Sequence, residues 1–397
     1  MGPSSLFSLQ STPLCFSSTI SKFSTAATPV NLPPKCKNPI VACMTDAPPA
    51  APPSTCLGFK NLMETFRVDV QRAEESPILP HVTAEDQPTA LAKAAEACLF
   101  LKKSSGKTLG LVLNEINRIL PGHSFASVRA GIEMALIDAA AHSIGVPLWR
   151  LFGGFSNAIT TDITIPIVSP TEAAELASKY RVQGFKTLKL KVGKNLNADI
   201  QVLQAIRTVH PDCLFILDAN EGYSSEEAIH VLEKLHEMEV TPILFEQPVH
   251  RNDWKGLGYV SDVARNKYGV SVAADESCRG LADVKKIVKE NLAHVINIKL
   301  AKVGVLGALE IIDLAKASGL DLMIGGMVET RLAMGFAGNL AAGIGGFKFI
   351  DLDTPILLAE DPVLEGYEVS GPFYKFSNAR GHGGFLHWGD IACCRET

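Results

Sequence analysis

The segment Thr187-Leu188-Lys189-Leu190-Lys191 alternates with period two, which puts Lys189 and Lys191 on one face of a strand and the leucines on the other. Asn297 and Lys299 repeat that arrangement further along the chain. Three acids end apolar, strand-like runs: Asp218 in Leu217-Asp218-Ala219-Asn220, Glu246 in Phe245-Glu246-Gln247-Pro248, and Asp275 in Ala274-Asp275-Glu276-Ser277. Three carboxylates brought together repel one another unless a cation neutralises them, and an all-oxygen set suits Mg²⁺ with positions left open for a substrate. An ammonium turned into a protein interior needs a partner just as much, because an unpaired buried charge is costly. Asp351 and Asp353, in Phe349-Ile350-Asp351-Leu352-Asp353-Thr354-Pro355, place two more acids on one side of a strand end. Such a pair selects for a cation through charge-assisted hydrogen bonds.

For these side chains to meet, the strands that carry them must share one sheet. Apolar strand-like runs fall at about 159–168, 186–192, 214–218, 242–246, 270–274, 294–300, 321–325 and 347–351, separated by amphipathic helical stretches. Alternating βα units predict a parallel sheet, and eight strands suffice to close a barrel, so the fold class is α/β with a (β/α)7β TIM-like barrel. Lys191 to Asp218 is 27 residues, Asp218 to Glu246 is 28, Glu246 to Asp275 is 29 and Asp275 to Lys299 is 24, one βα unit per step. The charged side chains therefore converge on the C-terminal rim of the barrel, where barrel enzymes carry their active sites.

Upstream of the barrel the pattern is helical, in runs 83–103, 107–120 and 124–151. The expected organisation is an organelle transit peptide over 1–45, a linker over 46–60, a mostly helical capping domain over 61–153, the barrel over 154–360 and a C-terminal segment over 361–397 that returns to the capping domain. The first 45 residues contain three lysines, no Asp, Glu or Arg, and repeated Ser and Thr, a composition that predicts a plastid address. Ala47 to Ser54 is rich in Pro and Ala, as a linker is.

The whole chain has 397 residues, 47% of them hydrophobic, and a formal net charge of -5 without any Lys/Arg cluster, which argues against a nucleic-acid partner. Glu329, Arg331 and several glycines interrupt the longest apolar stretch, Leu320 to Ile350, so no membrane span and a soluble mature protein are expected. The nine cysteines have no C-x-x-C pair, and the five beyond position 60, Cys98, Cys213, Cys278, Cys393 and Cys394, read as reduced thiols.

Taken in order, K-x-K, D-A-N, E-Q-P, D-E-S and N-I-K on strands two to six resemble the muconate-lactonizing subgroup of the enolase superfamily, from about Ser124 to the C-terminus. The resemblance implies that Asp218, Glu246 and Asp275 bind one Mg²⁺, that Lys191 and Lys299 are the acid/base pair, and that Lys189 contacts the substrate carboxylate and lowers the pKa of Lys191. Removing a proton next to a carboxylate builds an enediolate, which a metal stabilises and which bases on opposite faces can reprotonate with inversion. A lysine base must lose its proton to act, and neighbouring cations with partial burial are expected to pull it toward pH 7 to 8. The D-x-D of Asp351 and Asp353 looks like the motif with which dipeptide epimerases hold the substrate ammonium. Thr164 and the Gly326-Met327-Val328 turn match positions lining the dipeptide site in that family. The implied activity is Mg²⁺-dependent epimerisation of L-Ala-L/D-Xaa dipeptides of the Ala-Glu type. Glu329 fits either a supporting position or an ion pair.

One departure from the family stands out. Its members open with a stranded capping meander and a mobile loop that closes over the substrate, whereas here the strand Phe66 to Val70 runs through Gln71 to Pro77 almost directly into the first capping helix. Loss of the lid exposes the site to water, so the barrel is expected to fold and bind Mg²⁺ while turning over slowly. The alternatives are an o-succinylbenzoate synthase or muconate cycloisomerase, which has no use for an ammonium clamp; a Schiff-base aldolase using Lys299; and a non-catalytic barrel. Barrels of this family commonly associate, which leaves a homo-oligomer open.

Overall fold

The computed structural model describes residues 14–15, 59, 62–63, 75–79, 83–193 and 195–386. The predicted strand Phe66–Val70 and the proposed linker lie almost wholly outside them. Among the described residues no helix is long and apolar enough to cross a membrane, and Cys98, Cys213 and Cys278 are free thiols.

Three helices form the capping layer: α1 (Gln87–Lys102), α2 (Leu109–Ile119) and α3 (Ala126–Ser143). Asp86 and Thr108 cap α1 and α2 by accepting from Thr89 N–H (2.9 Å) and Leu111 N–H (3.3 Å), the expected use of short oxygen-bearing side chains at helix starts. Phe125, at the start of α3, has no oxygen to offer. Glu85 replaces it from upstream, accepting from Ser127 N–H at 2.9 Å and Val128 N–H at 3.2 Å. The predicted run 124–151 is in fact α3 followed by a separate turn of helix, Leu148–Leu151. Pro147 holds an extended conformation between them and restricts the residue before it.

The barrel strands, numbered β1 to β8, are Ile163–Ile165, Thr187–Lys191, Leu214–Asp218, Leu244–Glu246, Ser271–Ala274, Val295–Ile298, Asp321–Ile324 and Phe347–Ile350. All pair in parallel with their sequence neighbours. Between β8 and β1 there is no ladder; the seam is held by Asp162 N–H donating to the Ile350 carbonyl at 3.0 Å and by Thr161 Oγ1 accepting from Leu352 N–H at 2.9 Å.

The predicted strand 159–168 corresponds to two strands in different sheets. Ala158–Thr160 pairs antiparallel with Phe373–Phe376, and the barrel strand begins only at Ile163. The chain crosses over at Thr161, whose N–H donates to Pro372, and Asp162. That outer sheet continues to Tyr367–Ser370, while Val363–Glu365 pairs with Gly384–Leu386. The C-terminal segment reaches the capping layer where His382 N–H donates to Asp138 Oδ1 on α3.

Side-chain alternation sorts the barrel into layers. Leu188 and Leu190, like Ile163 and Ile165, are buried toward the surrounding helices, each worth about 2 to 3 kcal/mol of burial. Inside, Ile216, Leu244, Ala273, Val295, Met323 and Phe349 make an apolar floor. The polar rim stands above it.

Helix α3 docks on the kinked start of the helix Leu300–Ala317 that follows β6. Arg129 Nη2 donates to the Val303 carbonyl at 3.1 Å, and Glu133 Oε2 accepts from Val305 and Leu306 N–H. Between them Gly304 has φ +74°, and a Cβ there would lie 2.7 Å from Glu133 Oε2 and 2.9 Å from Arg129 Nε. Only glycine satisfies both the left-handed backbone and the close approach.

Candidate active site

Strand register places Lys191 opposite Asp218 and Asp218 opposite Glu246, so the predicted rim residues are neighbours across three strands. Lys191 Nζ donates to Asp218 Oδ2 at 2.7 Å and to Asn220 Oδ1 at 3.1 Å. On the far side Lys299 Nζ donates to Asp275 Oδ2 at 2.7 Å. Gly325, at the end of β7, leaves the space for it: a Cβ there would sit 3.2 Å from Lys299 Cε. The two lysines thus belong to strands on opposite sides of the barrel, each against a different carboxylate.

Lys189 is buried, and its Nζ lies 2.6 Å from Asp351 Oδ2, 2.8 Å from Glu246 Oε2 and 3.0 Å from Asp218 Oδ2. In this arrangement it faces acids of the protein, rather than standing clear for a substrate carboxylate as the resemblance implied. Those acids hold its ammonium well above the ordinary lysine value although burial works the other way. The same reversal holds at Lys299: burial favours the neutral amine, but Asp275 and Glu246 outweigh it and raise its pKa, opposite to the expected fall.

The three acids of the proposed metal set respond differently. Burial raises all of them, but Lys189 and Lys191 bring Asp218 down to about 2, and Lys299 and Lys302 bring Asp275 well below the carboxylate range. Glu246 goes up to about 8, through burial and then the charge of Asp218. Its Oε1 accepts from Asn297 Nδ2 at 2.8 Å. Oε2 has no hydrogen bond, because the nearby Lys189 ammonium is poorly aligned with it. An all-oxygen set in which one buried carboxylate oxygen has no hydrogen bond fits Mg²⁺. The predicted trio is not the group of acids whose oxygens all lie within 4.8 Å of one another; the one such group of three among the described residues is Asp162, Asp351 and Asp353.

The substrate-lining residues gather around this second set. Thr164 N–H donates to Asp353 Oδ2 at 2.6 Å, and Lys189 meets Asp351. The Gly326-Met327-Val328 turn is fixed by Met327 N–H donating to Glu329 Oε1 at 2.7 Å and by Thr354 Oγ1 donating to the Met327 carbonyl at 2.9 Å. Glu329 therefore supports that turn, and burial raises it to about 7.

Several residues of the site were not singled out from sequence. Gln247 has φ 35°, a strained conformation typical of functional positions. Its Oε1 accepts from Asp275 N–H (2.9 Å) and Ser277 N–H (3.0 Å), and its Nε2 donates to Ser277 Oγ and the Val249 carbonyl. Lys302 donates to both the side chain and the carbonyl of Asp275. Asp162 is buried with neither carboxylate oxygen hydrogen-bonded. Glu75 accepts from Thr330 N–H and Oγ1 (2.6 Å) and is raised to about 8 by burial and by Glu329. Only Asp162 had a signal, its period-two spacing from Thr164.

A rim of this kind on a parallel barrel defines the enolase class, and residues 172–387 match the enolase C-terminal domain-like family, to which the chain belongs. Among curated proteins it is 68% identical over 372 residues to an L-Ala-D/L-amino acid epimerase of Populus trichocarpa, covering 84% of this chain and 88% of the relative. Among solved structures it resembles a substrate-liganded complex of the L-Ala-D/L-Glu epimerase from Bacillus subtilis (TM-score 0.74, 32% identity, 80% of this chain and 88% of that one). A dipeptide epimerase from Enterococcus faecalis complexed with Mg and L-Leu-L-Tyr is similarly close (TM-score 0.71, 31% identity, 80% and 88%).

Proposed function

We propose that this protein epimerises dipeptides of the L-Ala-Xaa type at the C-terminal residue by two-base proton transfer. The observation that carries the reading is the pairing of Lys191 with Asp218 and of Lys299 with Asp275 on opposite sides of one barrel rim. Asp218, Glu246 and Asp275 would hold Mg²⁺, which when bound would polarise the substrate carboxylate. Lys191 and Lys299 then face the substrate α-carbon from opposite sides; one removes its proton and the other returns one to the opposite face. Asp351 and Asp353 take the α-ammonium. The Gly326-Met327-Val328 turn, with Thr164, lines the rest of the substrate. The pair of acids at Asp351 and Asp353 favours this over cycloisomerisation or lyase chemistry, whose substrates carry no ammonium.

Incubation of the Mg²⁺-loaded protein in D₂O with L-Ala-L-Xaa dipeptides tests it. Deuterium is expected at the second residue only, with loss of epimerisation in Lys191→Ala and in Lys299→Ala. No exchange into any dipeptide would refute the reading. Slow turnover is expected from the shortened capping segment, since water at the rim weakens each electrostatic contact. Two further parts of the proposal rest on sequence and surface. The acid-free, hydroxyl-rich first 45 residues support a plastid address, tested by a fluorescent fusion. Exposed Phe155, Phe373 and Phe385 support a homo-oligomer, tested by sedimentation.

A further inference from the structure

We infer that Asp162 is the third acceptor of the substrate ammonium, completing with Asp351 and Asp353 a cage that recognises a primary amine through all three of its N–H groups. The inference rests on the dipeptide reading above and extends it to a residue outside the D-x-D pair.

An R–NH₃⁺ group has three donors at tetrahedral angles. Acceptors about 2.8 Å from its nitrogen therefore stand roughly 4.6 Å apart. Asp162, Asp351 and Asp353 each offer one oxygen, and the three oxygens lie within 4.8 Å of one another. Asp351 Oδ2 already holds Lys189 and Asp353 Oδ2 the Thr164 N–H; offering one oxygen each, the D-x-D pair meets two of the three N–H groups, and Asp162 supplies the third acceptor.

Asp162 immediately precedes β1, at the point where the chain enters the barrel. It precedes Thr164 by two residues and shares its inward face, while Ile163 and Ile165 pack outward. It is 3% exposed, and neither of its carboxylate oxygens has a hydrogen-bond partner. Burial and the neighbouring charges of Asp351 and Asp353 raise its pKa well above the ordinary carboxylate value, and Lys189, which works the other way, offsets them only in part. Lys189 does not fill that gap, because its ammonium sits against Asp351, Glu246 and Asp218. Nor does the opposite mouth of the barrel favour entry of an inorganic cation: the cavity there, which Asp162 helps to line, also presents Lys186, Arg265 and Lys348. The missing positive charge comes from the C-terminal rim, with the substrate.

The test varies the number of N–H donors at constant charge. With the best substrate of an L-Ala-L-Xaa set, KM and kcat are measured for the free amine and its N-methyl, N,N-dimethyl and N,N,N-trimethyl forms. Each is run on the Mg²⁺-loaded protein and on Asp162→Asn and Asp162→Ser. A three-acceptor cage predicts that the first methylation already raises KM about ten- to a hundredfold in the unmodified protein. Both variants should raise KM for the free amine by a similar factor, with kcat little changed, and should erase most of the first-methylation penalty. A first methylation without cost overturns the proposal even if neither variant folds. So does an unchanged penalty in a folded variant, provided that Asp351→Asn loses it; that result leaves the dipeptide reading intact. If the unmodified protein turns over no free dipeptide, the reading and the inference fall together.

Discussion

Lys302 Nζ lies 2.6 Å from the backbone carbonyl oxygen of Asp275 and also holds its Oδ1, so one side chain fixes both the backbone and the carboxylate of a proposed metal ligand. Replacement by methionine keeps the aliphatic stem and removes the grip. Supporting partners of this kind are worth about ten- to a hundredfold in metal affinity. Lys302→Met is therefore expected to weaken Mg²⁺ binding by that factor in calorimetry. Tighter binding would mean that the charge of Lys302 competes with the ion more than its bonds orient the acid.

Gln247 ties the loop after β4 to the loop after β5 through both ends of its amide. Gln247→Ala leaves the N–H groups of Asp275 and Ser277 buried without acceptors. The expected cost is about 3 kcal/mol, seen as a fall in Tm of roughly 5 to 10 °C. kcat should fall with it, because Asp275 loses its register.

At Gly304, alanine would meet both a disfavoured backbone and the Arg129–Glu133 contact. Gly304→Ala is expected to destabilise by about 2 to 4 kcal/mol in denaturant unfolding. Because the same kinked helix start carries Lys302, Mg²⁺ affinity should drop in the folded variant. A stable variant with normal Mg²⁺ binding would contradict this account of how α3 docks.

Glu329 is held at about 7 against an ordinary 4.5, by burial first. A raised carboxyl binds its proton more tightly in the folded state. Its contribution to stability is therefore full below about pH 4.5 and is lost as pH rises through about 7, at up to about 1.4 kcal/mol per pH unit. Glu329→Gln should flatten that part of the stability profile measured by urea unfolding. Glu75 beside it, raised from 4.5 to about 8, loses its contribution over a wider range, so a decline that continues to about pH 8 is expected to remain.

The rim was legible because its signal is local and repeated: charged side chains at the ends of apolar strands, one per βα unit. Lys189 and Lys191 could be assigned to one face from alternation alone, and Asp351 and Asp353 likewise. Asp162 was equally readable in principle, but the apolar run around it looked like a single strand from 159 to 168. Nothing in residue types marks the point where a chain leaves one sheet for another. Gln247 and Lys302 lay further out of reach, since their roles depend on a left-handed backbone at one and on the path of a kinked helix start at the other. The partners of Lys189 were hidden for a related reason: period-two spacing tells which way a side chain points, not which of five acids it will meet.

The seam between β8 and β1 gives the protein an unusual dependence on what it binds. Every other strand junction carries a parallel ladder, broken only by a register shift between β7 and β8, whereas this one relies on a few bonds around Thr161, Asp162 and Ile350. Thr164 and Asp353, across the same junction, also belong to the proposed ammonium site. A dipeptide whose amine bridges Asp162 on one side and Asp351 and Asp353 on the other acts as a rivet through the barrel wall. Occupancy and closure then become one equilibrium, in which the empty protein opens first along this line and the loaded protein is sealed by its own substrate.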